Sequence, residues 1–224
     1  MNGEHTALHD RLDTAFRQAG VEANVQAGPA QVAVSVTLYS RLPAFAHTAE
    51  AATAWMCDNG IDGEARLDPE TFHIVIALRT EPAVDRFTDL LLTPHIQTRT
   101  AAISLAEALG AHTLFTSVHT DLATHTIKVE LNDNADVLTA VTVAGLLGAP
   151  GLDRGLDLTR TKQLHRLAER LSWLVTGVTG SFAYAETVPG CAHDPDQITL
   201  ILNSDQVLRL VDRIRTGPLS EIRT

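Results

Sequence analysis

The sequence is poor in cysteine and contains no long hydrophobic run. Its two cysteines, Cys57 and Cys191, are too few for a disulfide framework, which is typical of a protein in a reducing cytosol. The apolar stretches are far shorter than the roughly 20 residues that a membrane-spanning helix needs. The first residues, MNGEHTALHDRLD, lack the basic and then apolar order of a secretory signal. These absences predict a cytoplasmic protein with no membrane partner.

Basic residues are also scarce. The chain has 17 lysines and arginines against 27 aspartates and glutamates, a formal net charge of −10. An acidic chain repels a phosphate backbone unless it carries a local basic patch, so nucleic acid is not an expected partner. The length of 224 residues and the hydrophobic content of 45% allow either one large domain or two small ones.

The motifs of common catalytic sites are missing as well. The sequence has no nucleophile elbow, no HExxH, no phosphate loop and no glycine-rich oxyanion turn, so it predicts no cofactor and no catalytic constellation. One loop is a candidate exception, because Cys191, His193 and Asp194 lie close together there. A thiolate nucleophile needs a base or a cation to lower its pKa. Residues adjacent in sequence, however, rarely reach the mutual geometry of a triad.

Ten histidines are many for this length, and two of them form a candidate metal site. His119 and His125 flank the turn TDLAT and are expected to lie across from one another in a hairpin. A transition-metal site needs a third or fourth ligand, and the spacing implies none. Exposed polar hairpin residues are therefore the favoured interpretation, and no metal is predicted.

What the sequence does contain is one unit repeated four times. Four segments end in the same aliphatic alternation: VAVSVTLYS (32–40), HIVIALRT (73–80), TIKVELND (126–133) and ITLILNSD (198–205). Each carries a leucine at the same place: Leu38, Leu78, Leu131 and Leu202. Each is followed by a polar residue able to cap the helix predicted next: Ser40, Thr80, Asp133 and Ser204. Each is preceded by a hairpin partner: VEANVQ, DGEARL, TLFTSVH and SFAYAETV.

The order of these elements predicts the fold class. Residues 5–93 read α-ββ-α-ββ-α, and residues 99–216 read α-ββ-α-α-ββ-α with the linker GAPGLDRGLDL inserted. The prediction is an α+β protein of two tandem αββαββα units, with antiparallel sheets and helices packed on one face. The domains are expected at 1–96 and 97–224, with Pro94 breaking the chain between them. A single continuous domain is the alternative.

The stretch MCDNGIDGEARLDPETFHIVIALRT (56–80), with a looser echo in residues 172–204, resembles the type III secretion chaperones and the related YbjN-like proteins. The resemblance implies a small acidic protein that binds extended or partly folded polypeptide along sheet and helix surfaces. Members are usually dimeric, so a tandem copy implies a pseudo-dimer within one chain, with homo-oligomerisation left open.

Two helices are candidate partner-binding surfaces. Helix 135–147 is apolar almost all round, including Val137, Val141 and Ala144, so it is buried between the domains or serves as an interface. Another helix places the cations Lys162, Arg166 and Arg170 on one face. That face is either simply solvated or a contact for an anionic segment.

The sequence favours a noncatalytic polypeptide-binding adaptor or chaperone-like protein that presents a peptide or a partner protein. Edge strands of the two sheets would offer backbone groups for strand addition by such a client. One alternative is an enzyme, or an enzyme subunit, in peptide or natural-product modification that uses the Cys191–Asp194 loop. Another is a regulatory module that binds a small molecule.

Overall fold

The computed structural model describes residues 2–28, 32–114, 116–131, 138–188 and 197–217, with backbone only for residues 2–5. The chain divides into two compact units, Met1–Arg99 and Thr100–Thr224. Each unit has a hydrophobic core of its own. Among the described helices, none is both long enough and apolar enough to span a membrane.

The first unit is built from two hairpins, each preceded by a helix. Its strands are β1 (Ala23–Ala27), β2 (Val34–Leu38), β3 (Gly63–Leu67) and β4 (Ile74–Leu78). Its helices are α1 (Asn2–Ala19), α2 (Ala49–Asp58) and α3 (Glu81–Phe87), and α3 is followed by a π-helical turn at Thr88–Leu92. This order is the predicted α-ββ-α-ββ-α.

The second unit repeats the order with one additional helix. Its strands are β5 (Ser117–Asp121), β6 (Thr126–Glu130), β7 (Tyr184–Val188) and β8 (Gln197–Leu202). Its helices are α4 (Thr93–Gly110), which begins in the first unit, α5 (Leu138–Leu146), α6 (Thr161–Thr179) and α7 (Ser204–Thr216).

The two sheets share one topology. Their strand orders are β1-β2-β4-β3 and β5-β6-β8-β7, and every neighbouring pair is antiparallel. The four repeated segments of the sequence are therefore the four inner strands, and their hairpin partners are the edges. The α+β class with antiparallel sheets is confirmed.

Alternation along the inner strands builds the cores. In β2 the residues Val34, Val36 and Leu38 are fully buried, whereas the residues between them are partly exposed. Successive side chains of a strand point to opposite faces, so one face of the sheet is covered by helices and the other is more open. Burying one such aliphatic side chain contributes about 1.5–3 kcal/mol. The repeated leucines Leu38, Leu78, Leu131 and Leu202 all lie in these cores.

Two predicted helix caps lie at or next to the observed ones. Thr80 caps α3, where its hydroxyl accepts the backbone N–H of Ala83 at 3.3 Å. Ser204 is instead the first residue of α7, and Asn203 is the cap. The Asn203 side chain accepts the N–H of Gln206, whose own side chain accepts the N–H of Asn203, each at 2.9 Å. This reciprocal capping box satisfies two backbone donors, which a serine one position later does not do.

The prediction that Ser40 caps a helix is wrong. Its hydroxyl accepts the backbone N–H of Glu22 at 3.1 Å, so Ser40 joins the ends of β1 and β2. Helix α2 begins later, at Thr48, whose hydroxyl accepts the N–H of Ala51 at 3.2 Å. The fourth predicted cap, Asp133, lies outside the described residues.

Pro94 was predicted to interrupt the chain between the two domains, and this prediction is corrected because the helix continues through it. It lies inside α4, directly after the π-helical turn. There the N–H of Thr93 donates to the carbonyl of Thr88, five residues earlier. Proline removes one helical donor, and a π-turn rearranges the bonds where that donor is missing, so the helix continues past it.

Two hairpin turns have the same construction. In DPETF and DLATH, the aspartate accepts the N–H groups of the second and third residues after it, at 2.9 and 3.1 Å for Asp68 and at 3.0 and 3.3 Å for Asp121. Each turn ends on a residue with positive φ, 57° at Phe72 and 51° at His125. Such a backbone is costly for a residue other than glycine, so the aspartate bonds help to hold it.

Each unit is predicted to fold when it is separated from the other. Residues 1–110 and 93–224 each contain the whole of α4 and one complete core. Both fragments should give circular dichroism spectra of mixed helix and strand and should melt cooperatively. A fragment that stays disordered alone would show that the two units are one folding domain.

The Asp68 turn should make stability depend on pH. The N–H groups of Glu70 and then Thr71 hold the pKa of Asp68 below its usual value of 3.8. A lowered pKa stabilises the fold above the pKa of the unfolded state, and this stabilisation is lost as the pH falls through the folded pKa. Asp68→Asn should therefore lower the Tm at pH 7, and the difference from wild type should shrink on acidification.

Asp121→Asn serves as an internal control for this turn. The N–H of Ala123 is the main cause that lowers the pKa of Asp121, so this variant should follow the same pH profile. Thermal melts of both variants across the acidic range test this. A Tm difference that stays constant with pH would contradict the role of the carboxylate charge.

Candidate functional site

Helix α6 buries one face and exposes the other. The buried side chains pack into the second core: Leu164, Leu167, Ala168, Leu171 and Val175. The structure places the three predicted cations, Lys162, Arg166 and Arg170, on the exposed face. The helix ends at Gly180, whose φ of 70° suits glycine, and the chain then enters β7.

The three cations differ in what they contact. The Arg170 Nη1 donates to the carbonyls of Leu152 at 2.7 Å and Arg154 at 3.1 Å, so Arg170 holds the inserted linker against the helix. The side chains of Lys162 and Arg166 make no hydrogen bond or ion pair with other described residues. Of the described cations on this face, these two are the ones available to a partner.

Trp173 lies on the same face and is 66% exposed. It follows Arg166 by seven residues and Arg170 by three, spacings that align side chains on one side of a helix. Trp173 is not among the residues predicted from the sequence. The sequence does contain a signal that could have identified it. A tryptophan lies outside the row of leucines at 164, 167, 171 and 174, on the side of the helix that is otherwise polar.

An open groove of about 930 Å³ lies between α6 and α7. Its apolar lining comes from five side chains: Leu147, Trp173, Leu174, Val178 and Leu208. Leu208 is 51% exposed, so much of this apolar surface is in water. Arg209 and Arg213 border the groove and give it a basic side, with Asp212 as the one carboxylate in its lining.

A second groove, of about 370 Å³, lies between α6 and the edge strand β7. It is lined by aromatic and polar side chains that include His165, Glu169, Trp173, Phe182, Tyr184 and Glu186. Phe182 is 70% exposed and Tyr184 is 49% exposed. Trp173 borders both grooves, so one exposed indole connects them.

A buried glutamine positions Phe182 beside the grooves. Gln206 is 4% exposed, and its Nε2 donates to the carbonyl of Phe182 at 2.7 Å. Arg209 donates to the carbonyl of Thr179, the last residue of α6 before the same turn. Helix α7 therefore fixes the turn between α6 and β7, which sets where the aromatic side chains lie.

The apolar helix, predicted to be either buried between the domains or exposed as an interface, packs into the core of the second unit. Ala144 is fully buried in the core of the second unit, and Val141 is partly buried against that core. Val137 lies outside the described residues. The expected contact between Ala144 and a partner is therefore corrected, because its methyl group fills the core and has no exposed surface.

The two candidate metal ligands are not opposite each other, which corrects that expectation. His119 pairs with Lys128 across the hairpin, and its Nε2 lies 3.7 Å from the Glu130 Oε1. His125 lies in the turn and leaves the strand ladder through its positive φ. No group of three histidine, cysteine or acidic side chains that could hold a metal occurs in the described part of the chain.

The loop with Cys191, His193 and Asp194 lies outside the described residues, so its candidate catalytic role stays a prediction. No protein-family model matches this chain, and no curated protein or solved structure matches it either.

Arg170 and its two cationic neighbours should have different effects on stability. Arg170→Ala removes two bonds to backbone carbonyls of the linker and should lower the free energy of unfolding by about 1 kcal/mol. The double variant Lys162→Glu/Arg166→Glu should stay within about 0.5 kcal/mol of wild type per residue, as exposed substitutions usually do. Urea denaturation measures both. Equal stability of Arg170→Ala and wild type would contradict the anchoring role.

Proposed function

We propose that this protein is a noncatalytic polypeptide-binding protein, an adaptor or chaperone-like protein that works in the cytoplasm. Its second unit holds an extended client segment against α6. The client segment has acidic side chains at one end and large apolar side chains at the other. The observation that carries the proposal is Trp173, which is 66% exposed, borders both grooves and shares a helix face with Lys162 and Arg166.

The apolar part of the proposal rests on the exposed aromatic side chains. Trp173, Phe182 and Tyr184 border one groove, and Trp173 continues into the other. Contiguous exposed apolar surface rimmed by polar residues marks interaction sites, and tryptophan and tyrosine are enriched among the residues that dominate binding energy. Apolar side chains of a client would cover this surface.

The acidic part of the proposal rests on local charge. The chain carries a net charge of −10, yet α6 has three cations and one carboxylate. Lys162 and Arg166 lie in the N-terminal half of α6, whereas Trp173 lies in the C-terminal half. Complementary charge raises the encounter rate and fixes the orientation of a partner, so the acidic end of the client belongs beside Lys162 and Arg166.

The resemblance to the type III secretion chaperones supports the same proposal, because that family binds extended polypeptide. The tandem arrangement fits a pseudo-dimer within one chain. Within this proposal only the second unit carries the client-binding face, so the two halves of the pseudo-dimer are not equivalent.

A pair of synthetic peptides tests the proposal. One has glutamates at one end and alternating threonine and phenylalanine at the other, over about 12 residues, and is made in both sequence directions. The other has lysine in place of every glutamate. The glutamate peptide should bind the full chain at least about tenfold more tightly, and added salt should weaken its binding. Fluorescence anisotropy gives both Kd values.

Matched variants locate the binding surface. Trp173→Ser should weaken binding of the glutamate peptide about tenfold or more, equivalent to about 1.4 kcal/mol. Ile103→Ser removes a side chain that is 56% exposed elsewhere and should leave the Kd unchanged. Lys162→Glu/Arg166→Glu should weaken binding mainly at low salt. Equal binding of both peptides, or equal Kd values for the two serine variants, would overturn the proposal.

A further inference from the structure

The groove between α6 and α7 contains a gap in its apolar lining. Trp173 lines the groove from α6 and Leu208 lines it from α7. Gly177 lies one helical turn after Trp173, and a Cβ placed on this glycine would meet no atom within 4 Å. A glycine inside a helix destabilises it relative to alanine, so the empty space above Gly177 does not help the fold. The groove therefore has room for an apolar side chain from another molecule.

The corresponding cleft of the first unit is acidic instead. In both units, an arginine of the last helix lies against the glycine that follows the helix before it. A Cβ on Gly60 would lie 3.7 Å from the Arg86 Cζ, and one on Gly180 would lie 3.2 Å from the Nη1 of Arg209. The cleft beside Arg86 has a volume of about 600 Å³, and its lining contains three aspartates: Asp62, Asp85 and Asp89. The groove beside Arg209 is lined mainly by apolar side chains.

Leu208 shows this difference at one matched position. Helices α3 and α7 both bury the third, fourth and seventh residues after their caps, so they turn the same face to their cores. The fifth residue after the cap is Asp85 in α3, where its carboxylate pairs with Arg11. In α7 the fifth residue is Leu208, which is half exposed. Because the first unit places a charged side chain there, the fold itself does not require an apolar one.

Two arginines at the groove are held in place without an acidic partner among the described residues. Arg209 donates to the last carbonyl of α6, and Arg213 donates to the carbonyls of Gly217 at 3.2 Å and Leu147 at 3.5 Å. A guanidinium has five N–H donors, so both arginines keep donors for a ligand. Asp212 also lines the groove, but it forms no ion pair with either of them. The planar donor arrangement of arginine suits a carboxylate.

We infer that the groove between α6 and α7 binds the C-terminal residue of the client. The side chain of this residue is large and apolar, and it lies over Gly177 between Trp173 and Leu208. Its free carboxylate accepts hydrogen bonds from Arg209 and Arg213. Hydrogen bonds between charged groups are stronger than those between neutral groups, so the carboxylate contributes to affinity as well as to orientation. This inference rests on the proposed function and names the end of the client that enters the groove.

A terminal carboxylate suits this groove better than an acidic side chain does. Successive side chains of an extended segment point to opposite faces, so an acidic residue next to the apolar one would point away from the groove. A terminal carboxylate, in contrast, is attached to the same Cα as the apolar side chain. Apolar and basic lining residues also lie side by side here, since Leu208 and Arg209 are neighbours on α7. One C-terminal residue can therefore contact both.

The cations of α6 then fix the direction and spacing of the client segment. Lys162 and Arg166 lie in the N-terminal half of α6, whereas Arg209 bonds to its C-terminal end. Gly177 follows Arg166 by eleven residues, which is about 16 Å at the helical rise of about 1.5 Å per residue. An extended segment covers that distance in about five residues, at about 3.3 Å each. The client therefore has acidic side chains about five residues before an apolar C-terminal residue.

Amidation of the glutamate peptide tests the role of the carboxylate. The free-acid peptide with N-terminal glutamates and a C-terminal phenylalanine should bind the full chain at least about tenfold more tightly than its C-terminal amide. Added salt should reduce this difference. Equal Kd values for acid and amide, with binding that still depends on Trp173, would overturn the inference and leave the proposed function standing. So would an amidated peptide extended by threonine and glutamate that binds like the free acid. If neither form binds, the proposed function fails and the inference with it.

Leucine substitutions at two helix glycines test where the apolar side chain lies. Gly177→Leu should fill the gap and weaken binding of the free-acid peptide about tenfold or more. Gly145→Leu is the matched control, because Gly145 lies inside α5 and a Cβ there also meets no atom within 4 Å. Its Kd should change by less than about threefold. Both variants replace glycine with a better helix former, so both should keep or raise the Tm. Unchanged or tighter binding by Gly177→Leu would overturn the inference.

Discussion

Pairing between the second strands of two hairpins determines the architecture of each unit. Strand β2 pairs with β4, and β6 pairs with β8, both antiparallel. These four strands carry the most completely buried aliphatic side chains of the sheets, so each pair needs cover on one face. Because the inner positions are taken by the second strand of every hairpin, the first strands become the edges. Helices α1, α2 and α6 lie against the edge strands β1, β3 and β7.

This arrangement places side chains of α2 beside β3 and side chains of α6 beside β7, and the two units bond them to different residues. Thr53 satisfies the backbone of Ala65, which removes an unpaired donor and acceptor from the β3 edge. Exposed edges with unpaired groups are a liability that proteins usually cover. In the second unit, the Ser172 and Thr176 hydroxyls of α6 bond to the carbonyl and the N–H of Ala183, just before β7. In both units the helix before the second hairpin thus covers the edge strand, through different side chains.

Much of the fold was predictable because each inner strand has a recognisable local sequence pattern. Alternating aliphatic residues that end in Leu38, Leu78, Leu131 or Leu202 reflect burial on one face, and burial is what the core requires. Details that depend on tertiary bonds were not predictable. Ser40 bonds across a hairpin instead of capping a helix, and Pro94 is accommodated by a π-turn that no local pattern indicates. In both cases a distant or rearranged hydrogen bond overrides the local preference.

The candidate site was also predictable only in part, where local spacing was enough. Spacing alone put Lys162 and Arg166 on one face, whereas the place of Trp173 between two grooves depends on how α6 packs beside α7 and β7. The net charge of −10 gives long-range repulsion between copies of the chain. Locally, the side chains of Lys162 and Arg166 remain exposed whereas Arg170 bonds to the linker, a difference that spacing in the sequence does not show.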